Sequence, residues 1–89
     1  MTPIALVTGA SIGIGRACAK ALAARGDMVI VTDVLEDEGR AVVHETRKAG
    51  GAAEFQHLDV RDTPRANAVV KDIETRFGGI HTIVLNAGI

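Results

Sequence analysis

The stretch Thr8-Gly9-Ala10-Ser11-Ile12-Gly13-Ile14-Gly15 lies between an apolar run, Ile4-Ala5-Leu6-Val7, and a segment whose apolar residues recur at helical spacing. The run is too short for a helix and too continuous for a half-exposed strand, so it reads as a strand covered on both faces. A chain that leaves such a strand and turns at once into a helix needs glycine for the tight turn. It needs glycine again where backbone must approach a ligand, and once more where helix packs on strand. The new helix start then offers unpaired N–H groups and partial positive charge, a setting suited to a pyrophosphate. The spacing is G-x3-G-x-G rather than the G-x-G-x-x-G of the commonest dinucleotide fingerprint, and a lone glycine triplet also fits an ordinary turn. The strand–turn–helix context favours the phosphate cradle.

The same alternation continues along the chain. Met28-Val29-Ile30-Val31 and Ile83-Val84-Leu85 repeat the short, continuous apolar pattern of a strand buried on both faces, and a weaker fourth strand runs from Ala52 to Leu58. The first helical stretch carries Ile14, Ala17, Cys18, Ala21 and Leu22 on its expected packing face and ends at Gly26, suited to a left-handed C-terminus. The second, from Glu36 to Ala49, opens acidic at Glu36-Asp37-Glu38 and closes basic at Arg47-Lys48, the order the helix dipole prefers. The third opens with the capping Asp62 and with Pro64 in its first turn. It presents Ala66, Val69, Val70, Ile73 and Phe77 on one side and stops at Gly78-Gly79. The order β-α-β-α-β-α-β predicts right-handed crossovers and a parallel sheet, an α/β fold.

Composition narrows the function classes. The 89 residues carry a net charge of −1 with both signs spread along the chain, which gives no footprint for nucleic acid or an anionic membrane. With two Phe, no Trp and no Tyr, the core must be built from Ala, Val, Ile and Leu. The single Cys18 allows no internal disulfide and sits among alanines on a packing face. His44, His57 and His81 stand apart, with no second ligand at metal spacing. Met1-Thr2-Pro3 lacks the basic start of a signal peptide and no apolar run approaches about 18 residues, so a soluble, cytoplasmic protein is expected.

Asp33 closes the second strand about 18 residues after Gly15, near the roughly 20 expected for the acid that binds a ribose 2′-OH. Its charge would repel a 2′-phosphate, and Val34 and Leu35 follow it, so the expected cofactor is NAD rather than NADP. Arg16 reads as an exposed first-turn arginine.

Four motifs in order, Thr8-Gly9-x3-Gly13-x-Gly15, Asp33, Asp59-Val60 and Asn86-Ala87-Gly88, resemble the N-terminal NAD-binding half of the short-chain dehydrogenase/reductase family. The resemblance covers essentially the whole chain and implies a Rossmann-type doubly wound sheet of strand order 3-2-1-4. The first two helices would share one face and the third would lie on the other. It further implies that Gly9 and the run Ser11, Ile12, Gly13, Ile14 and Gly15 line the pyrophosphate, and that Asp33 holds the adenosine ribose. Asp59 would meet the adenine amino group, with Val60 beside the ring. Asn86 would tie the fourth strand to its neighbour, and Ala87-Gly88 would pass under the ribose. The family usually has two asparagines before Ala-Gly; here the first is Leu85.

The family's serine, tyrosine and lysine lie downstream of the Asn-Ala-Gly motif, where the tyrosine serves as general acid/base and the serine orients the substrate oxygen. The 89 residues contain no tyrosine. The expectation is therefore the N-terminal portion, residues 1–89, of a single NAD-binding domain. Its truncated chain would be inactive alone and prone to self-association, and its parent would act on an alcohol or ketone as a homo-oligomer, a dimer or tetramer. Two other readings fit parts of the pattern: a dinucleotide-binding module without catalysis, and an S-adenosylmethionine-binding methyltransferase-type domain. The latter usually carries an acidic residue just before the glycines, where this chain has Val7-Thr8.

Overall fold

A computed structural model describes residues 2–86. Four strands, β1 (Ile4–Thr8), β2 (Met28–Asp33), β3 (Ala52–His57) and β4 (Thr82–Val84), alternate with three helices, α1 (Gly13–Ala24), α2 (Glu36–Lys48) and α3 (Thr63–Phe77). All pairings are parallel and the sheet order is β3-β2-β1-β4. The chain steps outward from β1 to β2 and β3, then returns across the sheet to lay β4 on the other side of β1. Strand order therefore reverses at β1/β4, the point where open α/β sheets form a crevice at their carboxyl ends.

The helices divide as the family topology implies. Val7, Val29, Val31 and Ala53 of the sheet pack with Ala19, Ala23, Val42 and Val43 of α1 and α2 on one face. Ile4, Leu6 and Ile30 meet Val69 and Ile73 of α3 on the other. Ile73, Ile30, Val29 and Val31 are fully buried, and each such side chain contributes about 1.5–3 kcal/mol on leaving water. Aliphatic residues fill both layers; the only aromatic rings near them, Phe55 and Phe77, lie at the margins.

Two readings are corrected. The packing face of α1 is Gly15, Cys18, Ala19, Leu22 and Ala23, whereas Ile14, Ala17 and Ala21 are exposed. Small residues win that face because α1 must come close to the sheet, which leaves Ile14, a larger side chain, 74% exposed. The β4 strand is not buried on both faces either: Thr82 and Val84 are half-buried and Ile83 is 52% exposed. In register, Ile83 lies beside Leu6 on the α3 side of the sheet, and α3 covers Leu6 but does not reach across β4.

Helix ends follow local chemistry. Asp62 caps α3 by accepting from the Arg65 N–H at 3.1 Å, and Gly78 ends that helix in the left-handed region at φ 85°. No helix among the described residues is long and apolar enough to cross a membrane.

Candidate functional site

At the carboxyl ends of the strands the three loop glycines divide their work. Gly9 adopts φ 60° where the chain leaves β1. Gly13 adopts φ 58°, and a Cβ there would meet nothing within 4 Å, so its backbone faces open space. A Cβ on Gly15 would instead run into the Gly9 carbonyl oxygen and the Asn86 side chain, so only glycine lets α1 press against the end of β1. The residue before α1, Ile12, supplies no side-chain cap, and no acidic side chain stands in the first turn. The N–H groups at the start of α1 have no intrahelical acceptor and point outward with the dipole behind them. An anion fits there.

Asp33 is tied to this loop. Its Oδ2 accepts from the Ser11 N–H at 3.1 Å, and its Oδ1 accepts from the N–H groups of Val34 at 2.7 Å and Leu35 at 3.2 Å. The Ser11 hydroxyl donates to the Leu35 carbonyl at 3.3 Å. Ser11 thus joins the glycine loop to both ends of the turn after β2. A carboxylate offers about four acceptor positions, so Asp33 keeps one, on Oδ2.

A cavity of about 350 Å³ opens beside these groups, within the size range of small-ligand sites. Gly9 and Ile12 of the loop, Asp33 to Leu35, Leu58 to Arg61, and Asn86 line it. Asn86 holds β4 to β1 at this end: its N–H donates to the Thr8 hydroxyl at 2.9 Å and its Nδ2 to the Gly9 carbonyl at 3.2 Å. That tie forms with Leu85 in place of the family's first asparagine; Leu85 itself is exposed.

Of the site residues read from sequence, Gly9, Ile12, Asp33, Asp59, Val60 and Asn86 line this one cavity. Ser11 and Gly13 line an adjoining hollow with Arg16 and Glu45. Gly15 is the packing contact, Ile14 points to solvent, and Ala87 and Gly88 lie outside the described residues. Arg16, read as an exposed first-turn arginine, keeps its side chain 43% exposed and, with Lys20, pairs to Glu45 of α2, each at 2.5 Å. Lys20 and then Arg16 hold the Glu45 carboxyl down at about 2.

The sequence reading passed over Arg61. Its guanidinium grips Asp59 with Nε to Oδ1 at 3.0 Å and Nη2 to Oδ2 at 2.7 Å, while its own N–H donates to Oδ1 at 3.0 Å. The Arg61 side chain, seconded by its backbone N–H, draws the Asp59 carboxyl down to about 2. The only signal in the sequence was an opposite charge two residues after an acid, a pattern common on any surface. His81 was also read as isolated; it caps the amino end of the sheet by accepting the Ile4 N–H at 3.0 Å on Nδ1.

The parallel sheet and its strand order agree with the comparisons to known proteins. The family model described as short chain dehydrogenase matches residues 3–89. The chain belongs to the short-chain dehydrogenase family. It is 41% identical over 86 residues to a 3-alpha-(or 20-beta)-hydroxysteroid dehydrogenase of Mycobacterium tuberculosis, covering 97% of this chain and 32% of that protein. Among solved short-chain dehydrogenase relatives, a metagenomic short-chain oxidoreductase in complex with NADP superposes at TM-score 0.94 with 36% identity, covering 98% of this chain and 39% of that one. An actinorhodin polyketide ketoreductase with NADPH gives TM-score 0.92 and 38% identity over 99% of this chain and 34% of that one. The chain thus spans about a third of the length of these short-chain dehydrogenases. Family membership sets aside the methyltransferase reading.

Proposed function

We propose that residues 1–89 are the N-terminal portion of a single dinucleotide-binding domain in an oxidoreductase that moves a hydride between NAD and an alcohol or ketone. The glycine loop from Gly9 through Ser11, Ile12, Gly13 and Ile14 to Gly15 holds the pyrophosphate. Asp33 holds the adenosine ribose, Asp59 and Val60 hold the adenine, Asn86 ties β4 to its neighbour, and Ala87-Gly88, outside the described residues, pass under the ribose on the family's pattern. When bound, the nicotinamide supplies the hydride chemistry; these residues bind and orient. One observation carries the reading: Asp33, anchored by three backbone N–H groups, keeps an acceptor position on Oδ2 at the wall of the cavity. A carboxylate there accepts from ribose hydroxyls and opposes a phosphate. The catalytic groups and substrate contacts belong, on this reading, to sequence beyond these residues. The uncapped α1 start fits the anion, and the family's name fits the reaction class.

NADP use is the second reading, favoured by two observations: Arg61, a cation, lines the same cavity as Asp33, and two solved relatives hold NADP or NADPH. Titrating the natural protein with NADH and NADPH separates the two. We expect tighter binding of NADH, and a reversal in the Asp33→Ala/Val34→Arg double variant, which removes the repulsion and adds a phosphate partner. Equal affinity of the unaltered protein for both cofactors would sink the assignment of Asp33.

A further inference from the structure

Two carboxylates, Asp33 and Asp59, line one cavity, and each has three of about four acceptor positions filled, with the remaining one on Oδ2. The means differ. Asp33 is held by backbone N–H groups of the loop and the turn that bound it. Asp59 is held by a single residue, Arg61, through one backbone and two side-chain donors.

That side chain has no other task visible in the fold. It is 86% exposed while Asp59 is 32% exposed, and among the described residues its guanidinium hydrogen-bonds to Asp59 alone. Ion pairs so open to solvent add little to stability. What the fork does change is the chemistry that Asp59 offers the cavity. Without it, the carboxylate could rotate, and it would offer a ligand in the cavity no fixed acceptor direction.

We propose that Arg61 is a positioning residue for base recognition: its planar fork sets the plane of the Asp59 carboxylate and aims its one open acceptor position, so that the cavity selects a purine bearing an amino group over one bearing a 6-oxo group. This rests on the reading of the cavity as an adenosine site. Arginine suits the task better than lysine because the two parallel N–H bonds set the plane of the carboxylate, which a point charge does not.

The test compares binding of NADH with that of reduced nicotinamide hypoxanthine dinucleotide, whose base carries a 6-oxo group, by calorimetry on the full natural protein. The unaltered protein should favour NADH by roughly tenfold to a hundredfold, the scale of a hydrogen bond to a charged acceptor. Arg61→Met and Arg61→Lys should both shrink that ratio to within about threefold of unity. An Arg61→Met protein that keeps the full base preference, or loses both dinucleotides equally, overturns the proposal, and full preference in Arg61→Lys overturns the role of the fork. Asp59→Asn tells the two layers apart. If it erases the base preference while Arg61→Met does not, the adenosine site stands and the role of Arg61 falls. If it leaves the preference intact, the base is read elsewhere and both fall.

Discussion

The two ends of the sheet use the same residue types for opposite purposes. At the amino end, polar groups consume one another. Asp27, 1% exposed, is gripped by Arg25 through Nε at 3.2 Å and Nη2 at 2.6 Å. His81 and Ile4 exchange two hydrogen bonds, and the Met28 N–H reaches the Pro3 carbonyl at 2.9 Å. Gly26, Gly50 and Gly78 there turn the chain in left-handed conformations after each helix. At the carboxyl end the turns leave capacity unspent: an uncapped helix start and one open acceptor position on each of Asp33 and Asp59. Because all four strands run parallel, their carboxyl ends converge on one side. What distinguishes the ends here is how the carboxylates are used: Asp27 is spent on Arg25, whereas Asp33 and Asp59 each keep a position, and the one buried hydroxyl without a partner among the described residues, Thr46 Oγ1, lies near the amino end in the last turn of α2.

The sharpest way to break this contrast is to alter the one carboxyl-end glycine that serves packing. Gly15→Ala drives a methyl group into the Gly9 carbonyl. We expect a loss of roughly 3 kcal/mol in denaturant unfolding, together with loss of dinucleotide binding. Near-native stability would mean that α1 can retreat from β1 freely.

Gly13→Val separates binding from folding. The space around Gly13 is open, but φ 58° strains any β-branched residue. The expected cost is about 2 kcal/mol, with helical circular dichroism largely kept and NADH binding abolished. Unchanged NADH affinity would remove the loop from the site.

His81→Leu probes the sealed end. It strips the buried Ile4 N–H of its acceptor, and should cost about 1–2 kcal/mol without changing NADH affinity. A change in affinity equal to that of Gly13→Val would erase the division between the ends.

The smallest effect is graded with acid. Glu45 and Asp59 are drawn to about 2, and Arg25 holds Asp27 below its ordinary value against the opposing pull of burial. Carboxylates depressed in the folded state add stability that is complete above their unfolded values. That stability is lost as the pH falls through the folded ones. The melting temperature should therefore decline from about pH 5 toward pH 2, and Glu45→Gln should flatten part of that slope. A protein that gains stability over this range would contradict these pairings.

The fold was legible because its signals are local. Ile4-Ala5-Leu6-Val7 and Met28 to Val31 are apolar on both faces, Asp62-Thr63-Pro64 starts a helix and Gly78 ends one, whatever surrounds them. The α1 face was misread because apolar spacing cannot tell which flank a sheet will occupy. Cys18, Ala19, Leu22 and Ala23 face the sheet and Ile14 does not, a choice made by how closely α1 docks at Gly15. The buried reading of β4 failed for a similar reason: exposure of Ile83 depends on how far α3 reaches across the sheet.

The sequence by itself determined the alternation of elements, the glycine turn and the acid at the end of β2, since each rests on backbone geometry within a few residues. The tertiary structure alone decided which charges meet. Ser11 and Asp33 come together across β1 and β2, and Glu45 on α2 claims Arg16 and Lys20 on α1. Asp59 and Arg61 are neighbours in the chain, yet only the return of the chain to β4 and the turn after β2 bring their pair to the same cavity as Asp33 and Asn86. Hydrogen bonds reach about 3 Å, and the sequence carries no measure of distance between residues the fold has yet to bring together.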